Sequence, residues 1–361
     1  MNIELITKIA LMVLVPFAFV ALTMPYISKL AKAIGAVDIP GGRHIHTVPT
    51  PRLGGLGVFA GFILGYMLFG HQSAQMNSVL IGSFIIIITG IMDDIAELPV
   101  KSKLLGQTLA ACIITFYGGI LLKDVSAFGI YLDFGYFSYP LTIFFILGCI
   151  NCINLIDGLD GLSGGISAIY FITIGIIASI QNKFGLEFVL SFIMLGSTLG
   201  FLVHNFNPAK IFAGDTGSMF FGFIIAVIAL LGFKNVTMTS LIVPLLVLAI
   251  PILDTIFAII RRALKGESIA KADKFHIHHQ LLNKKFTVKQ TVLIIYLVDI
   301  LFAVASIIYI LKDRYLGYII YGILLAIVIV FIMNTSIVYD WDTLKNNGKD
   351  EKKDENKEEY L

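Results

Sequence analysis

Eleven stretches of mostly apolar sequence, each close to the ~20 residues an α-helix needs to cross a bilayer, dominate this chain. Their centres lie near Leu14, Phe62, Ile86, Ile113, Phe145, Ile172, Ile193, Ile225, Leu248, Leu301 and Leu324. Several are short or interrupted by glycine, those near Phe62 and Ile225 most of all. Of the 361 residues, 57% are hydrophobic and only 14% charged, and the mean hydropathy is +0.90. A soluble domain carries roughly 25% charged residues, so lipid must be part of this chain's solvent. The expected architecture is an all-α integral membrane domain over residues 1–340 with about eleven transmembrane helices. Residues 341–361 are rich in Lys and Glu, cannot bury enough surface to fold alone, and read as a disordered tail.

Smaller features fit the same frame. The apolar run Ile9–Met24 lacks a basic leader and a clear cleavage site, and reads as a retained first helix. Cys112, Cys149 and Cys152 all lie in apolar stretches, which favours packing over a disulfide framework. Alternation over Lys123–Tyr139, with Gly129 and Gly135, predicts a short outward hairpin. The net charge is +2, and no basic domain points to nucleic acid.

Lys and Arg set the orientation, because positive charge is favoured inside. The segments Lys29–Arg52, Asp93–Lys103, Asn154–Gly161, Asn205–Gly217 and Arg261–Gln290 carry fifteen of them. The intervening segments carry five: Lys123, Lys183, Lys234, Lys312 and Arg314. The first set is therefore placed in the cytoplasm. The unusual polar residues independently fall in the same set: Asp38, Asp93, Asp94, Asp157, Asp160, Asp215, His276, His278 and His279. Carboxylates at a membrane boundary are costly unless paired, hydrated or metal-bound.

Each segment carries its own chemistry. In the first, Arg43, His46 and Arg52 offer donors to a phosphate, while Pro49 and Pro51 stiffen an extended path. In the second, adjacent Asp93 and Asp94 suit a cation or proton, and Lys101 and Lys103 suit a phosphate. In the third, Asn151, Asn154, Asp157 and Asp160 recur every three residues and predict a polar stripe on one helical face. In the fourth, Asp215 between Gly214 and Gly217 opens a helix, a setting for a metal–diphosphate. In the fifth, His276, His278 and His279 match no standard structural zinc spacing and suit phosphate donation or acid–base work. The bland readings are lipid-facing basic loops, helix caps and packing glycines. They do not account for all five segments together.

In order, these segments read D-x-P-x-x-R…H-x-x-P-x-P-R-x-G-G, D-D…K, N-x-x-N-L-I-D-G-x-D-G-L, P-A-x-I-F-x-G-D-x-G-S and H-I-H-H. From Asp38 to about Leu282 the chain resembles the polyprenyl-phosphate N-acetylhexosamine-1-phosphate transferases, glycosyltransferase family 4. The H-I-H-H form resembles the branch that uses UDP-N-acetylglucosamine; the phospho-MurNAc-pentapeptide branch more typically shows three consecutive histidines. His44 stands where many relatives have Lys.

The resemblance implies transfer of N-acetylglucosamine-1-phosphate to undecaprenyl phosphate with release of UMP, in a bacterial plasma membrane with a shallow cytoplasmic cleft. It implies Mg2+, or Mn2+ in its place, held by Asp215. Asp93, Asp94, His276, His278 and His279 take catalytic roles. Arg43, His46, Arg52, Lys103, Asn151, Asn154, Asp157 and Asp160 bind substrate. Membrane lipid is the other partner, and a homodimer is compatible. The alternatives are a phospho-MurNAc-pentapeptide transferase and, from another class, an ion-coupled transporter, which expects charges near helix centres.

Overall fold

A computed structural model describes residues 3–39, 49–127, 130–232, 242–266, 275–311 and 314–335. The tail 341–361 and the residues Arg43, His44 and His46 lie outside them. Within lipid, backbone N–H and C=O groups have no water to bind, so each apolar run closes its hydrogen bonds on itself as helix. Among the described residues thirteen α-helices result: α1 (Ile3–Ile34), α2 (Gly54–Phe69), α3 (Ala74–Ile95), α4 (Val100–Cys112), α5 (Ser138–Ile156), α6 (Leu162–Ile180), α7 (Leu186–Asn205), α8 (Gly214–Gly232), α9 (Ile242–Val247), α10 (Ala249–Leu264), α11 (Ile277–Asn283), α12 (Val288–Leu311) and α13 (Arg314–Met333).

Nine of the eleven apolar centres fall in these α-helices, Ile113 opens a π-helical turn and Leu248 stands at a break, and among the described residues only eight helices are long and apolar enough to cross a membrane. The other three runs have local reasons for falling short. Helix α2 has 16 residues, about 24 Å of helix at ~1.5 Å per residue. Helix α4 gives way to a π-helical turn at Ile113–Tyr117. The run around Leu248 is split there into α9 and α10, with Pro244 in the first piece and Pro251 in the first turn of the second. Proline supplies no N–H, so a break upstream of Pro251 leaves no helical hydrogen bond unmade.

The predicted hairpin is present: β3 (Asp124–Ala127) pairs antiparallel with β4 (Ile130–Asp133). A smaller antiparallel pair, β1 (Val37–Asp38) with β2 (Thr50–Pro51), brackets the first polar segment.

Helix α8 is the axis of the bundle. It packs against α5, α3, α2, α6 and α7, and 94% of its spanning window is buried within the protein. Its neighbours make room with small residues. A Cβ on Gly55 of α2 would lie 2.1 Å from the Gly217 nitrogen, and one on Gly90 of α3 would lie 2.4 Å from the Thr216 Cα. Two helices thus grip the first turn of α8 by direct backbone approach, a packing mode that suits lipid, where apolar area alone gives little drive to associate. The apolar core continues through Phe59, Phe62 and Phe220, whose rings meet edge to face at 5.5 Å (Phe59–Phe220) and 5.5 Å (Phe62–Phe220).

Because the contact at Gly90 is with backbone, Gly90→Ala is expected to cost about 1–3 kcal/mol, the usual range for overpacking. Gly148 of α5 has nothing within 4 Å of a built Cβ, so Gly148→Ala should leave stability unchanged or raise it. Thermal unfolding of both variants in the same detergent checks the contrast.

Candidate active site

The first turn of a helix leaves backbone N–H groups without intrahelical acceptors. In α8 these are satisfied from another helix. Asp94, in the last turn of α3, accepts from the Asp215 amide at 2.8 Å through Oδ1. Its Oδ2 accepts from the Thr216 amide at 3.0 Å and the Thr216 hydroxyl at 2.6 Å. Gly214 has φ +70°, and a Cβ there would lie 2.4 Å from Asp94 Oδ2 and from the Arg52 carbonyl. Glycine is therefore required both by the left-handed backbone and by the closeness of the carboxylate. Asp94 is a cap supplied in trans, and it fixes where Asp215 stands.

The Asp215 side chain is then ringed by donors. Lys103 Nζ lies 3.4 Å from its Oδ2 and Arg52 Nη2 lies 3.7 Å from the same atom. Asn154 Nδ2 donates to its Oδ1 and also to Ser218 Oγ at 2.8 Å. Lys103 simultaneously holds Asp93 Oδ2 at 2.5 Å, while Asp93 Oδ1 accepts from the Leu98 amide at 2.7 Å. The two adjacent aspartates thus serve different partners: Asp93 ties α3 to Lys103 of α4, and Asp94 ties α3 to α8.

Arg52 follows β2 and is positioned by backbone bonds between chain segments distant in sequence. The Phe212 amide donates to Pro51 O at 2.8 Å, Gly54 N to Phe212 O at 2.9 Å and Gly55 N to Ala213 O at 2.9 Å. Arg52 Nε lies 3.7 Å from Asp94 Oδ1. Burial pulls the Arg52 pKa down, but the carboxylates of Asp94, Asp215, Asp38 and Asp93 outweigh it and raise it.

The third segment differs from the expected stripe. Helix α5 ends at Ile156, so only Asn151 and Asn154 lie on it. Asn151 faces α4 and donates to Gln107 Oε1 at 2.9 Å. Asp157 and Asp160 sit in the turn that Gly158 and Gly161 open. Asp157 accepts from Ser163 Oγ at 2.5 Å. Asp160 Oδ2 accepts from Asn207 Nδ2 at 2.9 Å and the Ala209 amide at 3.0 Å, stitching this turn to the α7–α8 connection. Burial is the main reason the Asp157 carboxyl is raised to about 7; Asp215 adds to the rise and the Ser163 hydrogen bond opposes it.

These elements enclose a cleft of about 440 Å³ at one end of the bundle. Of the residues expected from the sequence, Arg52, Asn154, Asp157, Asp160, Asp215 and His279 line it. Asp93, Asp94 and Lys103 stand around Asp215 without lining the cleft, and Asn151 lies against Gln107 of α4. His276 and His278 are buried and stand behind His279, with ring centroids 5.7 Å apart for His276–His278 and 4.3 Å for His278–His279. Burial first, then the neighbouring His279 and His276, hold the His278 pKa well below the ordinary range, so its ring is neutral at pH 7.

Asp38, Asn205, Asn207 and Phe212 also line the cleft without having been singled out as substrate contacts. Asp254 of α10 escaped notice altogether. Its carboxylate meets His276 Nδ1 and the Ile277 amide, each at 2.7 Å. The available signal was a single acidic residue inside an apolar run.

Among the described residues no three His, Cys, Asp or Glu side chains converge as a ready-made metal cage. That donor set still fits magnesium, which commonly takes one or two carboxylates and completes its shell with substrate phosphates and water. A cleft-facing Asp215, beside Asn154 and two cations, suits a divalent ion carried on a diphosphate.

The family model for glycosyl transferase family 4 matches residues 76–233, which run from the start of α3 to just past the end of α8. The chain is 39% identical over 310 residues to a protein of Bacillus subtilis (strain 168) named "Probable undecaprenyl-phosphate N-acetylglucosaminyl 1-phosphate transferase", covering 84% of this chain and 86% of that one. It is 31% identical over 303 residues, 75% of each chain, to a decaprenyl-phosphate N-acetylglucosaminephosphotransferase of Mycobacterium tuberculosis (strain ATCC 25618 / H37Rv). It is 30% identical over 294 residues, 80% of each chain, to an undecaprenyl-phosphate alpha-N-acetylglucosaminyl 1-phosphate transferase of Escherichia coli (strain K12).

Two measurements test this geometry. Asp94→Ala strips α8 of its cap and leaves buried donors of Asp215 and Thr216 unpaired, so it is expected to lower stability by at least about 1–3 kcal/mol, read as a lower thermal midpoint in detergent. Asp157, raised to about 7 in the folded chain, keeps its proton where the unfolded chain has lost it. Its contribution to stability is complete below pH ~4 and is lost as pH rises towards ~7. The thermal midpoint of Asp157→Asn should therefore fall less steeply than that of the parent protein over that interval.

Proposed function

The chain belongs to glycosyl transferase family 4, and on that footing we propose that it transfers N-acetylglucosamine-1-phosphate from UDP-N-acetylglucosamine to undecaprenyl phosphate, releasing UMP. The family and the relatives' names support the coarser statement that it is a polyprenyl-phosphate sugar-phosphate transferase, a multi-pass membrane enzyme. The observation that carries the reading is Asp215, presented into the cleft at the N-terminus of α8 with Arg52 and Lys103 against it.

The chemistry is a displacement at phosphorus. An oxygen of the lipid phosphate attacks the sugar-side phosphorus, the bond from that phosphorus to the UMP oxygen breaks, and UMP leaves with the bonding electrons. No covalent enzyme intermediate is needed. Asp215 would hold Mg2+ with the diphosphate; the bound ion supplies neutralisation of phosphate charge. Arg52, which lines the cleft, turns from its carboxylate partners towards the incoming phosphates, and Lys103 supports it from behind. Asp93 does not line the cleft, and on this reading it would take up the lipid-phosphate proton through its partner Lys103. On this reading Asn154, Asp157 and Asp160 bind the nucleotide, and His279, which also lines the cleft, contacts the diphosphate and sugar. The gain in rate comes from positioning and charge compensation in a site partly shielded from water.

The count of fifteen basic residues against five supports a cytoplasmic cleft, with the lipid acceptor drawn from the inner leaflet. The charged groups that line the cleft gather at helix ends, which favours this reading over an ion-coupled transporter; Asp299, midway along α12, stands apart from them.

A transfer assay decides the matter. Purified protein receives undecaprenyl phosphate, Mg2+ and UDP-N-acetylglucosamine labelled in the sugar. Label is expected in the lipid phase, in step with UMP release and abolished by chelation. Asp215→Asn should lower the rate by about 10²–10³-fold, the scale of losing one preorganised electrostatic group. Label transferred only from UDP-MurNAc-pentapeptide would correct the donor, and no transfer from any nucleotide sugar by folded protein would sink the enzyme reading.

A further inference from the structure

Asp254 lies on α10 and is 1% exposed, so its charge needs partners inside the protein. Both oxygens have them, and both partners sit at one place. Oδ2 is 2.7 Å from His276 Nδ1, and Oδ1 accepts from the Ile277 amide at 2.7 Å. His276 is the residue that precedes α11, and its own side chain makes no cap bond to that helix. Asp254 therefore does two things. It caps α11 from outside, and by accepting from Nδ1 it fixes a proton on that atom of the His276 ring.

What α11 carries gives this arrangement its meaning. His279, in the first turn of α11, lines the cleft with Asp215. His278 packs on the turn beneath: a Cβ on Gly158 would lie 2.4 Å from His278 Nε2. The His276 and His278 rings are parallel within 3°. The helix is thus seated on the Asp157–Asp160 turn at one side and tied to α10 by Asp254 at the other. A short helix with no cap of its own relies on that tie for its rotation and depth.

We propose that Asp254 is a positioning residue for sugar-phosphate transfer, acting through His276 and α11 to hold His279 at the cleft. The inference rests on the transferase reading above. It differs from a purely structural role in one respect: the identity of the proton-bearing atom on His276 matters, not just the presence of a hydrogen bond.

Asp254→Asn separates the two roles. The amide oxygen of Asn can still accept from Ile277, and the volume is unchanged. The amide NH2 then faces His276 Nδ1 and demands the opposite tautomer. The expected result is a kcat reduced by about ten- to a hundredfold, the usual cost of losing the carboxylate that orients a functional histidine. KM for the nucleotide sugar and the thermal midpoint should stay near the parent values. Combined with His279→Ala, the substitution should add little to the loss that His279→Ala causes alone, because both act on one element. 15N NMR of histidine-labelled protein should show the His276 proton moving from Nδ1 to Nε2.

A parent-like kcat in Asp254→Asn, or losses that multiply independently with His279→Ala, would overturn the inference while leaving the transferase reading intact. If Asp254→Asn does not fold, His276→Asn keeps Asp254 and its bond to Ile277. The same kcat loss is then expected, and a parent-like rate overturns the proposal. Absence of transfer by the parent protein itself marks failure of the underlying reading and of this inference with it; the NMR signature still reports separately whether the Asp254–His276 pair exists.

Discussion

The structure depends on a carboxylate from one helix taking the free amides of another. Asp94 belongs to α3 but completes the first turn of α8. In water such a cap contributes about 1 kcal/mol. Between buried helices the same groups have no solvent to fall back on, and an unpaired amide or carboxylate there is far more costly. The bond therefore does more than trim a helix end. It sets the height of α8 against α3, and with it the position of Asp215, Thr216 and Ser218. Gly55 and Gly90 permit the approach that this bond requires.

Charge is arranged around that anchor in alternation. Asp93, Lys103, Asp215, Arg52 and Asp94 form a chain in which each cation touches two carboxylates. Such a chain is stable without ligand because no charge stands alone. It is also ready for a polyanion, since Arg52 and Asp215 occupy the cleft-facing links. Arg52 lies in the 3.7 Å range from its partners rather than in tight contact, so exchanging a carboxylate for a phosphate asks little reorganisation of the backbone that holds it.

Much of this was legible in the sequence. Nine of the eleven apolar centres lie in α-helix, with Ile113 in a π-helical turn and Leu248 at a break, and the described parts of the five polar segments come together at one end. The reason is simple: hydrocarbon excludes polar groups from helix middles, so chemistry collects where helices end. Other features were hidden for equally physical reasons. Asp93 and Asp94 are neighbours in sequence, but successive residues point about 100° apart on a helix of ~3.6 residues per turn, and they serve different partners. The three-residue spacing of Asn151, Asn154, Asp157 and Asp160 suggested a continuous face, whereas α5 stops at Ile156 and the aspartates belong to a turn. Asp254 could not be paired with His276 from sequence because the connection between them carries no periodic pattern that fixes where α11 docks. The run near Leu248 read as one span because its composition is uniform, although its prolines divide it.

The encasement of α8 has a consequence for how the protein is made. Chains enter the membrane from the N-terminus onward, so α2 and α3 are in place before α8 emerges. Until then the two glycine faces and the Asp94 carboxylate have nothing between them, and the backbone bridge from Pro51–Gly55 to Phe212–Ala213 cannot form. The contacts that α2 and α3 make with the first turn of α8 are therefore among the later ones to form. A nascent chain truncated before Gly214 would have neither a floor to its cleft nor the amides that pair with Asp94, and the wall that carries His279 would follow later still.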